Sequence, residues 1–507
     1  MVRYSGSTLG LIRTYWLATV VCMGGFLFGY DSGVAGGVLT FPSFERDFEF
    51  TAKQATRTTS LSVSLQQGGA FVSCLLVWPL TRRYGRKWPL VISSFVFCIG
   101  VIIDTINTHS LPAFYVGRII AGLGLGAATV IIPAYNSEMA PKELRGQVGC
   151  FFQLFYTLGI LISYWIDYGV AKHLGGKTAE WQIPIGLQLV PAAAIGLGAL
   201  TLTESTRWLT GAGRHEEAWR SLVWIRASDS AEVEAEMQEI REGVERELKA
   251  QEGFRLTELL ETHNGNFRLV ATAFLMFTAQ QSTGATAFAY YAPQYFKLLA
   301  GGSANQQLLL TGIFGAVKVV ACAFFVFVLS NHLGRRKPLI VGAALMAILH
   351  FIAGAITKTH PPAKSGSPSS ANIATVVMIY LFVTVYNMSY GPLPWPYISE
   401  IFPARIRDAG VAVGVASQWL FSFVYTLANA YMIDSMGWGV FILWGGLNSV
   451  IAVVSYFCII ETNNMSLERI NELNRIPTPT SYKDEHPHAK DRDDILGAKR
   501  SSTPSNV

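Results

Sequence analysis

Twelve apolar windows run through this chain, near residues 15–38, 60–80, 88–107, 112–135, 147–169, 181–203, 268–296, 306–330, 338–357, 373–398, 408–432 and 438–460. Each is about the twenty residues that a helix needs to cross roughly 30 Å of hydrocarbon. A water-soluble fold has no interior large enough to hide them all. Composition points the same way: of 507 residues, 51% are hydrophobic and only 14% are charged, against about 25% charged in ordinary soluble domains. In lipid a helix satisfies its own backbone hydrogen bonds, so the expectation is an all-α membrane protein with twelve transmembrane helices.

The windows fall into two sets of six because a charged signature recurs. Glu138, Pro141 and Arg145 follow one apolar stretch, and Glu400, Pro403 and Arg407 follow another with the same spacing. A second pair repeats as well, YGRK at Tyr84 to Lys87 and LGRRK at Leu333 to Lys337. Two pseudo-symmetric six-helix bundles are therefore expected, the layout in which repeats rock about a central site. Between them, residues 204–267 are charged, with helical periodicity in 214–225 and 231–250, and read as a cytoplasmic helical linker. The resulting division is a cytoplasmic N-terminus over 1–14, bundles over 15–203 and 268–461, and a disordered cytoplasmic tail over 462–507.

Loop cations set the orientation. Arg82, Arg83, Arg86 and Lys87 follow window 2, Lys142 and Arg145 follow window 4, Arg335, Arg336 and Lys337 follow window 8, and Arg405 and Arg407 follow window 10. All lie on one side, which the positive-inside rule makes cytoplasmic along with both termini. The first window runs into Gly29, Tyr30 and Asp31 rather than a cleavage site, so no removable signal is read. The net charge of +5 is accounted for by these loops facing anionic lipid, and no nucleic-acid partner is expected. Six cysteines show neither disulfide nor metal spacing. The sequons at Asn387 and Asn464 fall in a window and in the cytoplasmic tail, where no glycan is expected. Gly176 to Thr178 lacks the first glycine of a phosphate loop, because Ala171 stands there, and the glycines after Gly117 lie inside window 4, where they read as helix-packing residues. No cofactor and no enzyme chemistry follow. Solute movement must be driven by a gradient.

An ionisable group in hydrocarbon costs about 2.5–3.5 kcal/mol on insertion scales and normally faces a cavity or a partner. Asp31 in window 1 and Arg118 in window 4 would relieve each other's desolvation, and a proton reaching Asp31 would free Arg118. The pair reads as a proton switch or as a static brace. Lys318, midway along window 8, reads as a cavity-facing cation or as a structural donor to carbonyls. Gln153, Gln280, Gln281, Asn387, Trp395 and Gln418 supply donors and acceptors on helices of both halves, suited to a solute with several hydroxyls or to interhelical contacts.

In this order and placement, Gly29-Tyr30-Asp31, Arg83 to Lys87, Arg118 with its glycines, Glu138 to Gly146, Gln153-Leu154, Glu204-Ser205 with Arg207-Trp208-Leu209, Gln280-Gln281, Tyr290 to Pro293, Gly391-Pro392 with Pro394-Trp395, and Glu461-Thr462 resemble the signatures of the sugar porter family of the major facilitator superfamily. The resemblance covers nearly the whole chain and implies the major facilitator fold. It implies that Asp31 and Arg118 match the proton-coupling pair. Gln153, Gln280, Gln281, Trp395 and Gln418, with Asn387, match solute-contacting positions, and Tyr290 and Tyr291 match the outer gate. Arg86, Glu138, Arg145, Glu204, Arg335, Glu400, Arg407 and Glu461 match a cytoplasmic charge network that latches the outward-facing state.

Departures shape the expected cargo. Thr286 stands where the family's hexose site has an asparagine, PESPRWL is reduced to TESTRWL at Thr203 to Leu209, and Arg82 and Asn331 replace the loop acids before the two GR pairs. Lys318 resembles a lysine of fungal relatives that carry quinate or uronic acids, and a buried cation suits a carboxylate. The expectation is a plasma-membrane, proton-coupled symporter, working as a monomer in the lipid bilayer, that imports a small polyhydroxylated solute by alternating access. A carboxylated solute such as galacturonate or quinate is favoured over a hexose or pentose. A non-transporting sugar sensor is the minor alternative.

Overall fold

The computed structural model describes residues 7–462 except 107–108, 142–143, 263–264, 330–333, 363–368 and 404. The tail from 463, with Asn464, lies outside the described residues, as do Asn331 and the side chain of Arg145. Among the described residues all regular structure is helical.

Eleven helices are long and apolar enough to cross a membrane. They are span 1 (Thr8–Val38), span 2 (Ala52–Tyr84), span 3 (Lys87–Thr105), span 4 (Leu111–Met139), span 5 (Arg145–Leu174), span 6 (Ala179–Gly186 continued by Leu189–Leu200), span 8 (Ala304–Phe324), span 9 (Arg336–Thr359), span 10 (Ser370–Asn387), span 11 (Arg407–Met436) and span 12 (Gly439–Cys458). Span 7, expected as one rod over 268–296, is two helices, Asn266–Ser282 and Ala285–Ala300. Gly284, at φ +88° and against Trp444, makes the break, and Tyr291 leaves helical geometry ahead of Pro293. Span 1 begins at Thr8, inside the stretch assigned to a cytoplasmic N-terminus, because the Ser7 hydroxyl caps it by accepting from the Gly10 N–H. Span 10 stops at Asn387 rather than near 398. The Gly391, Pro392 and Pro394 sequence ends it, and a short helix, Pro394–Ile401, starts on the last proline.

The linker carries the helices His215–Arg226 and Ala231–Gln251, at the positions that the periodicity marks, and a further short helix, Thr206–Gly211, that it does not. Spans 1 and 5 pack backbone to backbone through glycines four residues apart on span 1. Gly25 and Gly29 face the carbonyls of Phe152 and Tyr156, and Gly33 and Gly37 face the side chains of Ser163 and Asp167. A Cβ at Gly29 would overlap the Tyr156 carbonyl, so this close approach needs small residues.

The halves meet along spans 2 and 11, 5 and 8, and 1 and 7. At the end remote from Arg86 and Arg335 they are in contact. The Ser60 hydroxyl donates to the Leu427 carbonyl at 2.5 Å, Thr56 bonds Asp434, and the Tyr164 hydroxyl donates to the Ala289 carbonyl at 2.6 Å. The Tyr290 carbonyl lies against Gly36. This far end is closed.

Candidate functional site

Span 1 carries Asp31 and span 4 carries Arg118 to the same point in the N-terminal half. Arg118 Nη1 donates to Asp31 Oδ1 at 3.0 Å, and its Nε donates to the Ser62 carbonyl of span 2 at 2.9 Å. Both side chains are buried, Asp31 completely. Asp31 Oδ2 and Arg118 Nη2 have no protein partner. One carboxylate oxygen is thus held by the guanidinium while the other is unpaired.

The amides gather where the halves face each other. Gln280 Nε2 donates to the carbonyls of Tyr390 and Gly391 at 2.8 and 3.2 Å. Gln153, from the other half, reaches the same turn, its Nε2 lying beside Gly391. Trp395 stands between Phe152 and Phe277, at 5.5 and 5.0 Å between ring centroids. Asn387 spends its N–H on the Val383 carbonyl of its own helix, yet its Oδ1 is left unpaired, as are Oε1 of Gln280, Gln281 and Gln418. Buried polar atoms without partners are uncommon in proteins. Four amide oxygens are in this state.

Lys318 of span 8 is buried and crosses to span 5, where its ammonium sits 5.4 Å from the centre of the Tyr156 ring, with Phe314 at 5.7 Å. Tyr156 lies one helical turn from Gln153. Among the described residues no carboxylate forms an ion pair with Lys318, and the aromatic faces hold it in place. Thr286 is buried one turn before Tyr290. The two expected gate tyrosines do different things. The Tyr290 hydroxyl accepts from Gln67 Nε2 of the opposite half at 2.7 Å, whereas Tyr291 donates to the Thr426 carbonyl within its own half.

The charge network repeats in the two halves, except that Arg335 meets Glu400 through Nη2 alone where Arg86 uses both Nε and Nη2. Arg86 grips Glu138 through Nε and Nη2 at 3.0 and 2.7 Å, and Glu204 accepts from the backbone N–H groups of Arg86 and Lys87 at 2.8 and 3.1 Å. In the second half Arg335 pairs with Glu400 at 3.2 Å, and Glu461 accepts from the backbone N–H groups of Arg335 and Arg336 at 2.7 and 3.1 Å. Ser205 bonds Glu138 as Thr462 bonds Glu400. Glu204 and Glu461 therefore sit on the N-termini of spans 3 and 9, where helix dipoles favour anions. Burial pushes the Glu204 carboxyl up, and the backbone donors of Arg86, Ser205 and Lys87 oppose it. Arg407 does not join either cluster. Its Nη1 is 3.7 Å from Glu247 of the linker, which also accepts from Arg207 at 2.7 Å. Among the described residues no ion pair joins the two six-span halves directly.

Asp104 of span 3 and Asp167 of span 5 are also buried, and none of their carboxylate oxygens has a protein partner. Both stand toward the ends of their apolar windows, where proximity to the interface accounts for a charge, so the sequence does not single them out. The rule that marks Asp31 applies to them equally. Gln67, Phe152 and Tyr156 were likewise not distinguishable as contacts between the halves without the helix packing.

Comparison with known proteins agrees with this architecture. The family model described as "Sugar (and other) transporter" matches residues 17–473. The quinate permease of Emericella nidulans is 33% identical over 471 residues, covering 91% of this chain and 88% of the relative. A probable quinate permease of Aspergillus clavatus is 33% identical over 473 residues, covering 91% and 87%. Among solved structures, the major facilitator superfamily proton:xylose symporter XylE bound to 6-bromo-6-deoxy-D-glucose superposes with a TM-score of 0.77 at 24% identity, over 92% of this chain and 99% of that one. The fold is that of the major facilitator superfamily. On the family match and the fungal relatives, this chain belongs to the sugar transporter family, a multi-pass membrane transporter and not an enzyme.

Proposed function

We propose that this transporter is a proton-coupled importer of a small polyhydroxylated carboxylic acid, of which quinate and galacturonate are examples, working by alternating access as a monomer in the plasma membrane with both termini cytoplasmic. The observation that carries the coupling is the 3.0 Å pair of Arg118 and Asp31, buried and with one free oxygen on the carboxylate. A proton on that oxygen neutralises Asp31 and weakens its hold on Arg118, so proton binding releases the ion pair that ties span 1 to span 4. The proton-linked solved relative and the quinate-transporting fungal relatives favour the same reading.

Preference for an acid rests on Lys318, a buried cation at the junction of the halves, one turn from Gln153 and without a carboxylate of its own. A lysine ammonium placed there complements a solute carboxylate while the amide oxygens take its hydroxyls. A monoanion entering with one proton moves no net charge, so the pH gradient alone would drive it. A neutral sugar would also draw on about 2.3 kcal/mol per 100 mV of membrane potential. Hexose or pentose symport is the second reading, favoured by the glutamines and Trp395. In reconstituted vesicles under weak external buffering, adding the quinate or galacturonate salt should raise external pH as protons enter with the solute. A pH rise with glucose or xylose and none with the acids would favour the second reading.

A further inference from the structure

We infer that Asp104 is a second counter-charge for Arg118, so that the coupling site is an acid–arginine–acid cluster in which Arg118 passes from Asp31 toward Asp104 when Asp31 takes up a proton. The inference rests on the coupling role of Asp31 and Arg118 and deepens it.

Span 3 presses on span 4 where Gly100 meets the Gly117 carbonyl and Ala121. In this crossing the Asp104 carboxylate lies directly on Gly117, the residue before Arg118, and a Cβ at Gly117 would collide with Asp104 Oδ1. Asp104 is only 1% exposed, and neither of its oxygens has a protein partner. On the arginine, Nη1 and Nε are committed to Asp31 and to the Ser62 carbonyl, and Nη2 is uncommitted. The guanidinium thus has one free donor group and, on the neighbouring helix, a buried carboxylate with both acceptors free.

Arg118 of span 4 and Asp31 of span 1 are the charged groups acting on Asp104. Span 6, also packed on span 3, brings uncharged Gln182, which donates to the Thr105 carbonyl. His109, beyond the end of span 3, faces the Asp47 carbonyl with Nδ1 at 2.8 Å, and Arg57 of span 2 acts on Tyr115. An arginine released by a protonated Asp31 in hydrocarbon would otherwise lack a counter-charge. Asp104 supplies one on the adjoining helix, at the residue next to Arg118. The step is a proton transfer to Asp31 Oδ from external water, with Arg118 changing partner and no bond to the protein otherwise made or broken.

The test is the pH dependence of initial solute uptake in vesicles for Asp104→Asn, Asp104→Ser and Asp104→Glu, with counterflow exchange reporting that each variant is folded. Without the competing carboxylate, Arg118 holds ionised Asp31 more firmly. The pH of half-maximal uptake is expected to move about one unit to acid in Asn and Ser, a tenfold higher proton concentration, and to return in Glu. An unchanged midpoint in both variants would overturn the inference. So would an equal fall of uptake and exchange at every pH without rescue by Glu, the signature of a structural role. Asp31→Asn is measured alongside. If it keeps proton-driven accumulation, the coupling reading itself fails. If it abolishes accumulation while the Asp104 variants keep the wild-type midpoint, only the role of Asp104 fails.

Discussion

Gln67 of span 2 donates to the Tyr290 hydroxyl of span 7 at 2.7 Å, joining the two halves of the transporter at the closed far end. Gln67 also accepts from Ser422 of span 11 at 3.3 Å, so one side chain bridges three spans. Tyr290→Phe removes the hydroxyl and keeps the ring. A net hydrogen bond contributes about 1 kcal/mol, or roughly fivefold in an equilibrium. The far-end-open population should rise by about that factor, read as faster thiol labelling of a cysteine introduced at Thr286, buried one turn before Tyr290. Unchanged labelling would show that this bond does not hold the far end shut.

Lys318→Ala should separate acids from neutral sugars. If the ammonium binds a solute carboxylate, its loss removes a charge-assisted hydrogen bond of about 1.5–3 kcal/mol, raising KM for quinate roughly ten- to hundredfold and leaving any uptake of glucose or xylose within about threefold. Competition assays on the same vesicles give both values. Equal loss for acid and sugar would assign Lys318 to packing against Tyr156 and Phe314.

Gly85 adopts φ +87° with the Glu204 carboxylate where its Cβ would be, and Gly334 stands against Glu461 in the same way. Gly85→Ala therefore meets both a disfavoured backbone region, costing about 1–3 kcal/mol, and displacement of a helix-capping carboxylate. Its melting temperature in detergent should fall by several degrees, and that of Gly334→Ala likewise. Gly149→Ala, with nothing near its Cβ, should not move. A Gly85→Ala protein as stable as Gly149→Ala would contradict the account of the paired clusters.

The linker contact should matter less. Glu247 bridges Arg207 and Arg407, but these side chains are about one-third exposed, and such pairs contribute about 1 kcal/mol or less. Glu247→Gln is expected to change turnover by less than about fivefold. Complete loss of transport would make this bridge the main latch at the basic end.

Much of this molecule is legible in the sequence because lipid allows so few solutions. Apolar length places eleven uninterrupted or nearly uninterrupted spans, and the repeated Glu138/Glu400 and Arg86/Arg335 signatures announce two similar halves. Hydropathy does not register the break of span 7, because Thr283 and Gly284 barely lower the apolar average while Gly284 turns the backbone. The end of span 10 is missed for a similar reason: Met388 to Trp395 is apolar enough to extend the window, although its glycine and prolines cannot continue a helix. At the site, residue type reveals which groups are costly in hydrocarbon. Which of them meet depends on helix rotation. Arg407 shares the motif position of Arg145 but faces the linker, and Asp104 becomes visible only once Gly117 is seen beneath it.

The most direct test of the central claim is uphill solute accumulation by Asp31→Asn in vesicles under an inward proton gradient, alongside counterflow exchange in the same preparation. The account predicts that accumulation is abolished while exchange persists, since the solute site remains and the proton no longer has a carboxylate to neutralise. Accumulation at the wild-type level would contradict it.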